Sequence, residues 1–270
     1  MKYEDTPKYW DCLASESLKT SGREAFRDPG LAGLARWYSF VVTRGIALSH
    51  GLEVLKLDLW NEVVDRNRDV LSHLTSSRPS HRFHALDISS FMVSEAKVRL
   101  GKLVNLLQGD LLHMPYRDSS FDLLLDLSTL DHIDYRHLDC CLNEYDRVLR
   151  DYGILVLIFN TDHKINREVF ARRRNEFYFN VGSLKTRLAE YFDILEEYAF
   201  WDGLIPLVGI EYSEYTTRFK RKMSLCARRP YLAIYEPVVS LLKRFEQSRR
   251  FSKSLRPICR MYCILARKNV

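Results

Sequence analysis

From residue 52 onward short apolar runs alternate with helical patterns, and this alternation constrains the fold more than any other feature of the chain. The runs are "EVLKLDL", "RFHALDI", "LVNLLQGD", "FDLLLDLS" and "GILVLIFN", each of strand length. Short apolar runs separated by amphipathic helices build a parallel sheet with crossover helices on both faces. "FDLLLDLS" is apolar enough for a central strand buried on two sides. Two further runs, "FDILEEYAF" and "RMYCILARK", bring the expected count to seven strands in a doubly wound α/β sheet of Rossmann type.

The helices are legible from their stops and caps. The first strand, 53–59, leads to a helix expected to start near Asn61, with Val63, Val64, Val70, Leu71 and Leu74 along one side. Ser89 or Ser90 caps the next helix and Gly101 ends it. Another helix is expected from Tyr135 to Arg150, and a helical stretch over 164–191. Residues 1–50 read as a helical cover stopped at Gly51. The core then spans 51–202, a basic insertion 203–256, and the last strand of the core 257–270.

In open α/β sheets ligands bind beyond the carboxyl ends of the strands, where strand order reverses. Here those ends carry Asp58, Asp87, Asp110 and Asp126. A carboxylate at the end of the second strand can accept two hydrogen bonds from ribose hydroxyls, which makes Asp87 a nucleotide-binding candidate.

The order of these features resembles the class I S-adenosylmethionine-dependent methyltransferases, of the type 11 kind. The resemblance runs from about 52 to 160 and is carried by "HALDISSFMVSEAKVRL", "LLQGDLLHMPYRDSSFDLLLDLSTLDHI" and "YDRVLRDYGILVLIFN". It implies S-adenosylmethionine as cofactor, with Asp87 on the ribose, Ile88 packed on ribose or adenine, Asp110 accepting from the adenine amino group and Leu111 offering backbone to the ring. Asp126, Leu127 and Ser128 would border the methionine part of the cofactor.

The departure from that family lies after the first strand. Members carry an acid and then a G-x-G-x-G turn, whereas "VLKLDLWNE" has Lys56 in place of the acid and Asp58, Trp60 and Glu62 in place of the glycines. Glycine allows backbone to approach a ligand closely and to adopt angles that a Cβ penalises. Three outcomes are open: a cofactor bound in an altered pose with Asp58 and Trp60 against it, a different ligand, or a pseudoenzyme that keeps the domain as a binding or regulatory scaffold.

Methyl transfer needs a nucleophile in line with the methyl group, and a base if that nucleophile is a hydroxyl. His132 in "LDHID" is the candidate base, with Asp131 or Asp134 to orient or charge it. The acceptor expected is a small-molecule or lipid- or glycan-linked hydroxyl. No histidine or cysteine spacing suggests a metal, and the six cysteines form no C-x-x-C pair.

Charge bears on partners. Residues 203–270 hold 15 Lys and Arg against 4 Asp and Glu, a net +11, so the total of +6 leaves −5 on the rest. Within 218–256, "VVSLLKRFEQSRRF" has the pattern of a basic amphipathic helix, which suits an anionic membrane surface or lipid-linked substrate. No nucleic-acid-binding module is apparent, so nucleic acid is not expected as a partner. With no leader-like or span-length apolar segment, the reading is cytoplasmic, peripheral to the membrane at most.

Overall fold

The computed structural model describes residues 6–21, 29–46, 51–64, 69–162, 176–200 and 261–270. Among them, helices α1 (Thr6–Ser21) and α2 (Pro29–Ile46) precede the sheet. Then follow β1 (Glu53–Leu57), the single turn α3 (Trp60–Val63), α4 (Val70–Ser77), β2 (Arg82–Asp87), α5 (Ser90–Leu100), β3 (Val104–Gln108) and β4 (Phe121–Leu127). The chain closes with α6 (Leu138–Val148), β5 (Leu149–Asn160), α7 (Val181–Leu188), β6 (Phe192–Phe200) and β7 (Met261–Lys268).

The strands lie in the order β3-β2-β1-β4-β5-β7-β6. β1 pairs in parallel with both β2 and β4, and β7 runs antiparallel between β5 and β6. The chain therefore starts in the middle of the sheet, works outward to β3, and returns across β1 to β4. That return is the switch point, and the cleft it opens lies over the ends of β1 and β4. Register sets the heights there: Leu57 stands opposite both Leu86 and Asp126, so Asp58, Asp87 and Asp126 converge.

Alternating strand residues feed two cores, as a period of two requires. On one face Val54, Phe83, Ala85, Leu123 and Leu125 pack with Tyr38, Val41 and Val42 of α2 and with Met92, Val93 and Ala96 of α5. On the other, Leu55, Leu57, Leu86, Leu124 and Leu155 meet Leu142, Tyr145 and Val148 of α6 and Leu184 and Leu188 of α7.

Local signals explain most boundaries. The Ser89 side chain accepts from Met92 N at the start of α5, and Gly101 at φ 55° ends it. The first helix differs from expectation: Asn61 is not a cap but lies buried inside the one-turn α3, and α4 begins separately where the Asp69 side chain accepts from Ser72 N. The helix expected from Tyr135 opens as a 3₁₀ turn over Tyr135–His137 before α6. β5 starts at Leu149, earlier than its apolar run, because it pairs with Phe121 across a bulge. Of the stretch 164–191, residues 176–180 are extended or irregular and α7 covers Val181–Leu188. The basic insertion lies outside the described residues. No helix among the described residues is long and apolar enough to cross a membrane.

Candidate active site

The turn after β1 keeps a glycine-like shape without glycine. Asp58 stands at φ 59°, in the left-handed region that Asp tolerates better than most side chains. Four hydrogen bonds hold the turn. Asp58 N donates to Leu86 O at 2.8 Å, and Leu59 N donates to Asp87 Oδ2 at 2.7 Å. Trp60 N donates to Asp58 Oδ1 at 2.9 Å, and the Thr129 hydroxyl to Asp58 Oδ2 at 2.8 Å. The last bond ties the end of β1 to the end of β4 across the switch point.

Beneath the turn lies a buried ion pair. Lys56, 0% exposed within β1, places Nζ 3.0 Å from Glu62 Oε2, 2.7 Å from Asp58 O and 3.3 Å from Leu57 O. Glu62 also accepts from Leu71 N at 3.3 Å. Burial is the largest influence on Lys56 and acts to lower its pKa, but Asp58 and Glu62 more than offset it, so the ammonium stays charged. Burial pushes the Glu62 carboxyl up to about 7, with Lys56 opposing the shift.

Asp87 ends β2 with its two oxygens accepting from Leu59 N and Ser89 N, at 2.7 and 2.8 Å. Burial lifts its pKa to about 7 against those two bonds. A carboxylate offers about four lone-pair sites, so each oxygen can take a further donor. Ile88 is half-buried beside it. After β3, a Cβ on Gly109 would come within 2.7 Å of the Leu86 side chain and 3.0 Å of Pro115, which explains the glycine before Asp110. The Asp110 carboxylate accepts from Leu112 N at 2.9 Å, and Leu111 is nearly buried between them.

The end of β4 is organised by two buried acids. Asp126 accepts from Thr129 N at 2.7 Å, Leu130 N at 3.3 Å and the Tyr145 hydroxyl at 2.6 Å, and burial raises its pKa to about 6. Its carboxylate thus sits under the turn it caps, with Leu127 also buried, and Ser128 at φ 82° carries the chain outward. Asp131 accepts from the Ser128 hydroxyl, from Asn160 N at 2.8 Å and from Asn160 Nδ2 at 2.7 Å. Burial holds its carboxyl well above the ordinary range. Asp131 was expected to orient His132; its carboxylate instead clamps the ends of β4 and β5. Asp134 accepts from Arg136, whose guanidinium and backbone N–H hold its carboxyl down to about 2.

Helix α1 closes over this arrangement. The Trp10 ring meets His132 edge to face with centroids 4.7 Å apart, and meets Trp60 at 6.3 Å. Next to it, Asp11 accepts from the hydroxyls of Ser89 and Ser90, the latter at 3.2 Å, and from Phe91 N at 3.1 Å. The sequence reading missed Trp10 and Asp11, because nothing local to α1 says which part of the chain it will cover.

Comparison with known proteins shows what part of this chain is similar to. Residues 69–157 match the family model described as a methyltransferase domain. The matched segment, which runs from the residue that caps α4 into β5, is similar to a methyltransferase domain. The fold resembles that of solved methyltransferases over most of the chain. One is described as a sarcosine dimethylglycine methyltransferase from Galdieria sulphuraria, 14% identical at TM-score 0.57, covering 87% of this chain and 84% of that one. Another is an S-adenosylmethionine-dependent methyltransferase from Archaeoglobus fulgidus, 14% identical at TM-score 0.54, covering 87% and 94%. A third comes from the complex between the Haloferax volcanii Trm112 methyltransferase activator and a methyltransferase, 14% identical at TM-score 0.58, covering 98% and 97%. At these identities the likeness is one of fold. An uncharacterized protein of Methanocaldococcus jannaschii is 34% identical over 86 residues, a match that spans 32% of this chain and about a third (35%) of that protein's length.

The cofactor of such domains is S-adenosylmethionine, and the residues of this cleft fit it. Asp58 keeps the turn in a glycine-like conformation. Glu62, whose charge would oppose the cofactor's carboxylate, is 1% exposed and paired with Lys56 inside the fold. Asp87 retains acceptor capacity at the end of β2. Of the three side chains that replace glycines, Trp60 alone projects a large group toward the cleft, where it packs on Trp10.

Proposed function

We propose that the protein is an S-adenosylmethionine-dependent methyltransferase acting on a small-molecule or lipid- or glycan-linked hydroxyl. The observation that carries this reading is the convergence of Asp58, Asp87 and Thr129 at the β1/β4 switch point in a turn whose shape survives the loss of its glycines. The pseudoenzyme alternative rested on that loss, and the inward pairing of Glu62 with Lys56 removes its electrostatic basis.

When bound, the cofactor supplies a methyl group on a positively charged sulfur. Asp87 would receive the ribose hydroxyls on its remaining lone pairs, with Ile88 against the ring system. Asp110 and the Leu111 backbone would receive the adenine edge. The turn at Asp58 and Trp60, and the β4 end at Leu127 and Ser128, wall the methionine side, with Asp126 fixing that wall from below through Thr129 and Leu130. Asp131 acts as a positioning residue, holding Ser128 and Asn160 in place.

His132 stands at the rim as the base. It would take the acceptor hydroxyl proton on a ring nitrogen, so that the oxygen could accept the methyl group the cofactor would supply. Trp10 and Trp60 shield it from water, and excluding water favours transfer to the bound acceptor over side reaction. Residues 218–256 of the basic insertion supply the surface for an anionic membrane or a lipid-borne phosphate.

Transfer of label from methyl-labelled S-adenosylmethionine to a panel of hydroxyl, amine and carboxyl acceptors tests the reading. Label on hydroxyls, lost in His132→Ala, is expected. Label confined to amines or carboxyls would overturn the hydroxyl assignment.

A further inference from the structure

Three charged groups of the site, Lys56, Asp58 and Glu62, have no counterpart in the family pattern, and one of them is a lysine inside β1. Lys56 and Glu62 occupy the places of the family's acid and its last turn glycine, so the two departures are joined by a contact of 3.0 Å. An ammonium has three donors, and three acceptors lie closest: Leu57 O at 3.3 Å, Asp58 O at 2.7 Å and the Glu62 carboxylate at 3.0 Å, with the Asp58 carboxylate a little further off at 3.5 Å. Two of them flank the point where the chain leaves the strand, and the third lies in α3 at the far end of the turn. One side chain, fully buried, therefore spans the turn from its first residue to its last. The same turn carries Asp58 in a left-handed conformation, and Asp58 in turn accepts from Trp60 N and Thr129.

We propose that Lys56 is the positioning residue of the cofactor turn: its ammonium, neutralised by Glu62, grips the Leu57 and Asp58 carbonyls from beneath and holds the turn open to the cofactor without glycine. The inference rests on the cofactor assignment above. It differs from a purely structural role because a buried pair that only stabilises can be replaced by neutral side chains of similar volume with little loss, whereas the grip on the Asp58 carbonyl cannot.

Lys56→Met, Glu62→Gln and the double variant K56M/E62Q separate the two. Each is compared with the unsubstituted protein for thermal unfolding and for binding of S-adenosylhomocysteine by calorimetry. Lys56→Met is expected to lower the melting temperature, since it strands the Glu62 charge, and the double variant to recover most of that loss. Binding is expected to weaken at least about tenfold, a difference of about 1.4 kcal/mol, in Lys56→Met and equally in the double variant. Recovery of affinity together with stability in the double variant would overturn the positioning role, as would affinity unchanged in both lysine variants. If Lys56→Met does not fold, the double variant alone decides by the same criterion. Absence of binding by the unsubstituted protein would overturn the cofactor assignment and the inference together; binding that ignores Lys56 would overturn the inference alone.

Discussion

Trp10 of α1 and His132 beyond β4 meet edge to face with their ring centroids 4.7 Å apart. The contact places an N-terminal helix across the carboxyl end of the sheet, where ligands enter folds of this class. Trp60, from the turn after β1, touches the same indole. Binding in the cleft must therefore change the surroundings of Trp10 and Trp60. Addition of S-adenosylhomocysteine is expected to alter intrinsic tryptophan fluorescence, and the change to vanish in W10F/W60F, which retains Trp37 and Trp201. An undiminished change in that variant would show that α1 does not border the site.

The Asp11 carboxylate fastens the same helix by accepting from Ser89, Ser90 and Phe91 at the start of α5. It reinforces the Ser89 cap, so its loss has the size of a lost cap. Asp11→Ala is expected to cost about 1 kcal/mol, read by urea unfolding, and to increase proteolytic cleavage within α1. Stability unchanged within experimental scatter would contradict a fastening role.

Asp131 is expected to be among the costlier single truncations in the site. Its carboxylate receives Asn160 N, Asn160 Nδ2 and the Ser128 hydroxyl in a fully buried setting. Removing the acceptor leaves buried donors unpaired at about 1–3 kcal/mol each. Asp131→Ala should lose at least about 3 kcal/mol in denaturant unfolding, and a loss under about 1 kcal/mol would contradict the clamp.

The raised pKa of Asp87, about 7 in the folded protein, sets a pH dependence of definite sign. The unfolded value is about 3.9, so between about pH 4 and pH 7 the folded state binds more protons and stability contributed by this group falls as pH rises. Above about 7 both states are ionised and the contribution is level. Asp87→Asn abolishes the titration, so its stability relative to the unsubstituted protein should improve from pH 5 to pH 8. A difference independent of pH would contradict the assignment of the shift to Asp87.

Much of this was legible in the sequence, for reasons that are local. Seven strands were readable because each apolar run is of strand length and bounded by a turn signal, and Ser89 with Gly101 marked α5 because a cap and a stop act within a few residues. The site was legible only in part. Asp58, Asp87 and Asp126 could be placed at strand ends, but which way Asp126 and Asp131 face depends on Tyr145 and Asn160, which lie far off in the chain. Asn61 resembled a cap yet lies buried within α3, and Asp69 is the residue that caps the next helix. Glu62 is legible as a replaced glycine but not as half of an ion pair, because its partner Lys56 sits six residues back in a strand, where a lysine is not expected to be fully buried.

The most direct test of the account is calorimetric titration of the full chain with S-adenosylhomocysteine and S-adenosylmethionine, repeated with Asp87→Ala. Saturable binding in the micromolar range that disappears in Asp87→Ala is the result predicted. No heat and no change in melting temperature at millimolar cofactor, with the protein folded, would contradict it.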